Sequence, residues 1–313
     1  MKILITGGCG FTGTILTNDL IKLGHKVKVI DTQWFGCNLK KNKNLEIIKK
    51  DIRNIKKNDI KNSDVIVHLA NIPNDLSVEL NPNLSWDVNV IAIKKLIELS
   101  IECKVKKFIY ASSGSVYGIK KEKKVTEDLS LKPISVYNKT KMIAERVLMS
   151  YSDKIKIFCI RPATVCGYSP RMRADVSVNM FIYQALKNKR LTIFGGQQIR
   201  PNITIKDLSN VYKHFIFKKL KPGFYNAGFE NLKILNIAEK VKKFIDCKII
   251  IKKNNNDPRS YRQNSDKLIK TGFKVKYKID DAIKDIIEMY KKNKKIFSKN
   301  VFSVKTINRL NIK

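Results

Sequence analysis

The chain has 313 residues, 43% of them hydrophobic, and carries 63 Lys and Arg against 27 Asp and Glu for a formal net charge of +36. That apolar fraction over this length buries a large core, as one big domain or two of ordinary size, and excludes a disordered chain. The charge alone would invite nucleic acid or an anionic membrane. However, only ten of the 63 basic residues are Arg and the lysines are spread through every segment, so no nucleic-acid partner is expected, and an acidic substrate remains compatible.

Lys2 to Thr6 is a short apolar run followed at once by Gly7-Gly-Cys-Gly-Phe-Thr-Gly13, then by a helical pattern with Ile15, Leu16, Leu20 and Ile21 on one side. That is strand, tight turn, helix. Glycines are needed where a backbone turns sharply and approaches a pyrophosphate closely, while the helix N-terminus offers unpaired N–H groups to the phosphates. A second strand, Lys26 to Ile30, ends at Asp31. A carboxylate there accepts the ribose hydroxyls of an adenosine and repels a 2′-phosphate, which selects NAD over NADP. Leu45 to Ile48 and Asp64 to Leu69 read as the third and fourth strands, and His68 as a packed strand residue.

Trp86 to Cys103 has helical periodicity through Val90, Ile93, Ile97 and Ile101, with Asn89 the odd polar residue near its start. Phe108 to Ser112 is a fifth strand, leading into Ser112-Ser-Gly-Ser-Val-Tyr-Gly118 and a basic loop that contains Thr126-Glu127. Pro133 marks the boundary before a helix that carries Tyr137 and Lys141. At 3.6 residues per turn those two side chains share a face. Ile155 to Ile160 is a sixth strand, closed by Arg161-Pro162. Strands alternating with helices predict an α/β, Rossmann-type doubly wound parallel sheet with ligands at the strands' carboxyl ends.

Beyond Pro162 the alternation loosens into a smaller mixed α/β region: a basic segment Ser169-Pro-Arg-Met-Arg173, a helix from Val176 to Lys187, short strands, and a late amphipathic helix from Ala282 to Tyr290. The expected division is an NAD-binding domain over 1–161, with 201–228 able to pack back on it, a substrate-binding region over 162–293 and a poorly patterned basic tail over 294–313. Six cysteines without Cys-x-x-Cys spacing read as reduced core thiols of a cytoplasmic protein. Three scattered histidines predict no metal site. Neither a cleaved leader nor a membrane span is expected.

Taken in order, Thr6-Gly-Gly-Cys-Gly-Phe-Thr-Gly13, Asp31, Asp51-Ile-Arg53, His68-Leu-Ala70, Asn89, the serine-rich turn, Thr126-Glu127, Tyr137 with Lys141 and Arg161-Pro162 resemble the extended short-chain dehydrogenase/reductases of the nucleotide-sugar epimerase/dehydratase family. The resemblance covers Met1 to about Lys292. It implies NAD as cofactor, held by Gly7, Gly10, Phe11, Thr12, Gly13, Asp31, Asp51, Ile52, Leu69, Ala70, Asn89, Tyr137 and Lys141. Ser113, Tyr137 and Lys141 would be catalytic; Ser113 and Asn179 would contact the nucleotide-diphosphate sugar, and Arg200 and Arg259 its diphosphate. It also implies a homodimer through the helices around Trp86 to Cys103 and Ile134 to Ser150, whose Leu96, Ile143 and Leu148 read as surplus apolar surface.

The resemblance departs from the water-eliminating members at one place. Those carry Thr-Asp-Glu where this chain has Ser113-Gly-Ser115, so a dehydratase lacks its acid and base here. Two activities stay open: a C4 epimerase, similar to UDP-glucose 4-epimerase and working through a transient 4-keto sugar, and a net nucleotide-sugar dehydrogenase or 4-keto reductase serving surface-polysaccharide precursors. For either, Tyr137 must act as a base. A free phenol titrates at about 10, so a drop of roughly 3 units is required. One ammonium at ~6 Å and an effective dielectric near 20 supplies only about 3 kcal/mol.

Overall fold

The computed structural model describes residues 1–253 and 260–311. Among the described residues twelve strands form three sheets. In chain order they are β1 (Lys2–Thr6), β2 (Lys26–Asp31), β3 (Leu45–Lys49), β4 (Val65–His68), β5 (Lys107–Ala111), β6 (Lys156–Pro162), β7 (Thr164–Cys166), β8 (Arg190–Phe194), β9 (Ile199–Thr204), β10 (Gly223–Ala227), β11 (Glu230–Lys233) and β12 (Lys248–Lys252). The main sheet is seven-stranded and wholly parallel, in the order β10-β6-β5-β4-β1-β2-β3. Order reverses between β1 and β4, and the crevice beyond their carboxyl ends is where such sheets bind ligands.

The near-continuous apolar runs of these strands follow from covering the sheet on both faces. Ile3, Ile5, Val27, Val29, Val65, Val67, Ile109 and Phe158 point to one side, where helices Phe11–Lys22 and Ile205–Phe217 supply Leu16, Leu20, Val211 and Phe215. Leu4, Ile30, Ile66, Phe108 and Ile157 point to the other, against helices Ala92–Glu102 and Val136–Met149 through Ile93, Leu96, Ala144 and Leu148. Leu96 and Leu148 are therefore fully buried within the chain, and contribute no free surface to a dimer.

Three further differences from the sequence reading have physical causes. The stretch read as one helix from Trp86 is a short helix, Pro82–Trp86, a wide π-type turn over Asp87–Ile91, then Ala92–Glu102. The turn carries Asn89 inward, where its amide accepts from Ile72 N–H at 2.8 Å and donates to Ile72 O and to Thr140 Oγ1. The C-terminal segment is structured: it includes a helix, Ser303–Leu310, and packs Phe297, Val301 and Ile307 against the second half of the chain and the Asp75–Leu80 helix. Its apolar residues are too sparse for a clear period. Among the cysteines, Cys37 is exposed and Cys103 half-buried, while Cys9, Cys159, Cys166 and Cys247 are buried.

The second half builds a three-stranded sheet, β11-β9-β7, and a parallel pair, β12-β8. Helices Ser177–Asn188, Ile234–Phe244 and Ile279–Lys292 pack around them. A buried network ties β10, the strand that the second half contributes, into the main sheet. Arg161, at the end of β6, donates through Nε and NH2 to Glu145 at 2.9 and 2.8 Å and through NH1 to Tyr117 Oη. Tyr117 Oη in turn donates to Asn226 of β10.

Candidate active site

β1 runs into Gly7 at φ +74°, a backbone conformation that side chains disfavour, and a Cβ there would lie 2.6 Å from Ala70 N. A Cβ on Gly13 would lie 2.3 Å from Gly7 O. The loops after β1 and β4 thus meet backbone to backbone, and the Phe11–Lys22 helix starts against them with its first N–H groups lacking intrahelical partners. Asp31 closes β2; its carboxylate accepts from Cys9 N–H at 3.0 Å and Gln33 N–H at 2.7 Å. Burial raises its pKa, opposed by those bonds and by the charge of Arg171.

These groups wall one cavity of about 510 Å³ at the carboxyl end of the sheet. It brings together Gly7, Gly10, Phe11, Thr12, Gly13, Asp31, Asp51, Ile52, Leu69, Ala70, Ser113, Tyr137, Lys141 and Arg200. The Asp51 carboxylate is already taken up by its own neighbour, accepting from Arg53 N–H at 2.8 Å and from its guanidinium. Asn89 and Asn179 stand behind the wall. Asn179 accepts from Gly167 N–H and donates to Gly167 O and Arg173 O, so it shapes the arginine segment from the rear. Arg259 lies outside the described residues. A side chain-free backbone cradle, a helix N-terminus and a carboxylate ready for ribose hydroxyls fit NAD.

At the far end of the cavity Ser135 caps the Val136–Met149 helix, accepting from Asn138 N–H, and itself donates to Asp75. The helix presents Tyr137 to the cavity and Lys141 one turn on. Lys141 is 3% exposed; its Nζ donates to Ala111 O, at the end of β5, at 2.7 Å and lies 5.8 Å from the Tyr137 ring centroid. Burial brings its pKa down to about 7, with Glu145 only partly opposing; that carboxylate is itself paired with Arg161. Burial therefore disfavours the full ammonium assumed from sequence. Ser113 follows β5, and its Oγ lies 2.8 Å from Ser115 Oγ; no carboxylate stands in that turn. His68 is a packed strand residue, its Nδ1 2.6 Å from Thr6 Oγ1, and burial together with Lys141 brings its pKa to about 3.

The remaining wall comes from the second half of the chain. Arg173 Nε donates to Asp175 Oδ1 at 2.8 Å. Burial opposes ionisation of Asp175, yet Arg173 and bonds from Ser303 hold its pKa at about 2. Ala174 N–H donates to Val301 O and Ser303 N–H to Asp175 Oδ2, so the C-terminal segment is the outer support of this wall. Asp175 and Tyr261, which also line the cavity, escape sequence reasoning; the Arg-x-Asp spacing of 173 and 175 was the available signal for the first.

A switch-point crevice of this kind, with a tyrosine and a lysine one helical turn apart beside a serine, defines an extended short-chain dehydrogenase/reductase, an NAD-dependent enzyme of nucleotide-sugar chemistry. The chain belongs to the NAD dependent epimerase/dehydratase family, whose profile matches residues 3–228. It is 38% identical to the "Uncharacterized UDP-glucose epimerase YtcB" of Bacillus subtilis (strain 168), over 66% of this chain and 70% of that one. It is 28% identical to the UDP-glucose 4-epimerase of Lactobacillus helveticus, over 94% and 98%. In structure it is similar to the UDP-glucuronic acid 4-epimerase of Bacillus cereus in complex with UDP-glucuronic acid and NAD, at 29% identity, covering 93% of this chain and 99% of that one with a TM-score of 0.82. Among the described residues no helix is long and apolar enough to cross a membrane.

Proposed function

We propose that the chain is a C4 epimerase of UDP-hexoses, acting through a transient 4-keto sugar. The observation that carries this reading is the meeting of Ser113, Tyr137 and Lys141 in one cavity with hydroxyls alone in the Ser113–Ser115 turn, which leaves no carboxylate there to expel water from the sugar. NAD, when bound, supplies the acceptor and donor of the hydride. Tyr137 takes the C4 hydroxyl proton and returns it to the other epimer, while Ser113 hydrogen-bonds the same oxygen. Lys141, with its pKa at about 7, gains its proton more readily as the phenol loses one, so the two behave as a coupled pair.

The relatives' names direct the substrate choice to UDP-glucose and UDP-glucuronic acid. A wall bearing Arg173 and Arg200 suits diphosphate oxygens and tolerates an acidic sugar. In this reading residues 162–293 are the substrate-binding region, 1–161 with 201–228 the cofactor-binding one, and the enzyme is a cytoplasmic homodimer. Its dimer face includes Ile91, 62% exposed, on the helical stretch after Trp86. Light scattering of a monomer at micromolar concentration would remove the dimer. The function is tested by incubating the purified chain with each UDP-sugar and resolving the 4-epimers, then denaturing it and assaying released NAD. Interconversion with retained NAD is the expected result; consumption of added cofactor with net oxidation or reduction would overturn epimerisation.

A further inference from the structure

Arg171 is a buried cation whose hydrogen-bonding capacity is largely unused. It is 5% exposed, its guanidinium carbon lies 4.0 Å from the centre of the Phe35 ring, and its bonds, NH1 to Met172 O and NH2 to Ser303 Oγ, are both long at 3.4 Å. Its Nε is buried with no partner among the described residues. Two carboxylates, Asp175 and Asp31, act on it only through space, and burial together with Arg173 lowers its pKa to about 9, which leaves it charged at neutral pH. A charge taken out of water without a bonded counterion is unfavourable, and a guanidinium has five donors to offer.

Its place in the fold specifies which anion would satisfy it. Ser169 Oγ donates to Phe11 O at 2.8 Å, pinning the Ser169–Arg173 segment to the start of the helix that follows the glycine turn. Phe35 comes from the loop after Asp31. Arg171 therefore hangs between the two walls of the cofactor cleft, whereas Arg173, two residues on, is paired with Asp175 and feels Tyr137.

We propose that Arg171 is a cofactor ligand: the second half of the chain reaches across the cleft and sets a guanidinium on the NAD diphosphate, opposite the glycine turn. The planar fork matches phosphate oxygens in a way that a lysine does not. The inference needs NAD as cofactor and is independent of which sugar reaction the enzyme runs. To test it, Arg171→Met, which keeps a stem over Phe35 without the charge, and Arg171→Lys are compared with the wild type after removal of retained nucleotide. Trp34 lines the cavity, so tryptophan fluorescence reports binding of NAD, ADP-ribose and adenosine, and calorimetry reports UDP. Arg171→Met is expected to weaken NAD and ADP-ribose by about 10–100-fold, as for loss of a charge-assisted bond, and Arg171→Lys by less, with adenosine and UDP unchanged. Unchanged NAD and ADP-ribose would overturn the assignment. So would a loss confined to UDP, which places Arg171 on the substrate, or an equal loss for adenosine, which makes it a mere support of the Phe35 loop.

Discussion

Replacing Lys141 by methionine is expected to stabilise the cofactor-free protein while abolishing its activity, and to do so in a pH-dependent way. Burial moves the lysine from its ordinary 10.5 to about 7, which at about 1.4 kcal/mol per unit is a penalty of about 5 kcal/mol for holding the ammonium inside. Methionine removes that penalty but leaves Ala111 O without its donor, a loss of about 1.5–3 kcal/mol. The net gain at pH 6 is then about 2–4 kcal/mol, a Tm rise on the order of 3–6 °C for a chain of 313 residues. Between pH 7 and 10.5 the unfolded wild type holds the proton and the folded one does not, so wild-type stability climbs with pH and the variant's advantage shrinks. Below pH 7 both forms are protonated and the advantage is complete. Scanning Tm of both proteins from pH 6 to pH 9.5 measures the difference directly, with other groups cancelling. A difference that stayed constant with pH, or that favoured wild type at pH 6, would refute the picture of a strained buried ammonium. NAD affinity of the variant should also fall.

Tyr137→Phe keeps the ring and deletes the proton acceptor, so kcat should drop by about 10²–10⁴-fold with NAD and UDP-sugar binding retained; steady-state turnover alongside calorimetry checks it. Asp31→Ala should weaken NAD, relieve repulsion of NADP and so narrow the preference between them, as read by the two dissociation constants; an unaltered ratio would remove Asp31 from the ribose. Arg161→Met strands the Glu145 carboxylate, 1% exposed, and should cost about 3–5 kcal/mol in denaturant unfolding. The double variant with Glu145→Gln should recover part of that.

Local pattern made much of this molecule legible. The glycine turn, Asp31, and the one-turn spacing of Tyr137 and Lys141 are short-range features; the first two sit at strands' carboxyl ends, and the helix carrying the other two is tied to the end of β5 by the Lys141 bond to Ala111 O. Side chains whose role depends on which way an amide turns were less readable: Asn89 and Asn179 are polar residues on apolar stretches, and only the folded backbone shows that their amides are spent on Ile72, Gly167 and Arg173. Lys141's titration was not legible because its lowering comes from burial, which the spacing of Tyr137 and Lys141 does not reveal. Gly223–Ala227 lies in the 201–228 stretch expected to pack back on the cofactor-binding domain, but local pattern does not show its place as seventh strand beside β6, some sixty residues earlier.

The support of the Arg173 wall by Val301 and Ser303 has a temporal consequence. Chains emerge N-terminal first, so the main sheet and its glycine turn can form while Val301 and Ser303 have yet to be made. The bonds from Ala174 to Val301 and from Ser303 to Asp175 close only once residues 301–303 have emerged. A nascent chain without these residues would hold the glycine turn while the Arg171–Asp175 wall still lacked its support, so that wall would mature after the turn.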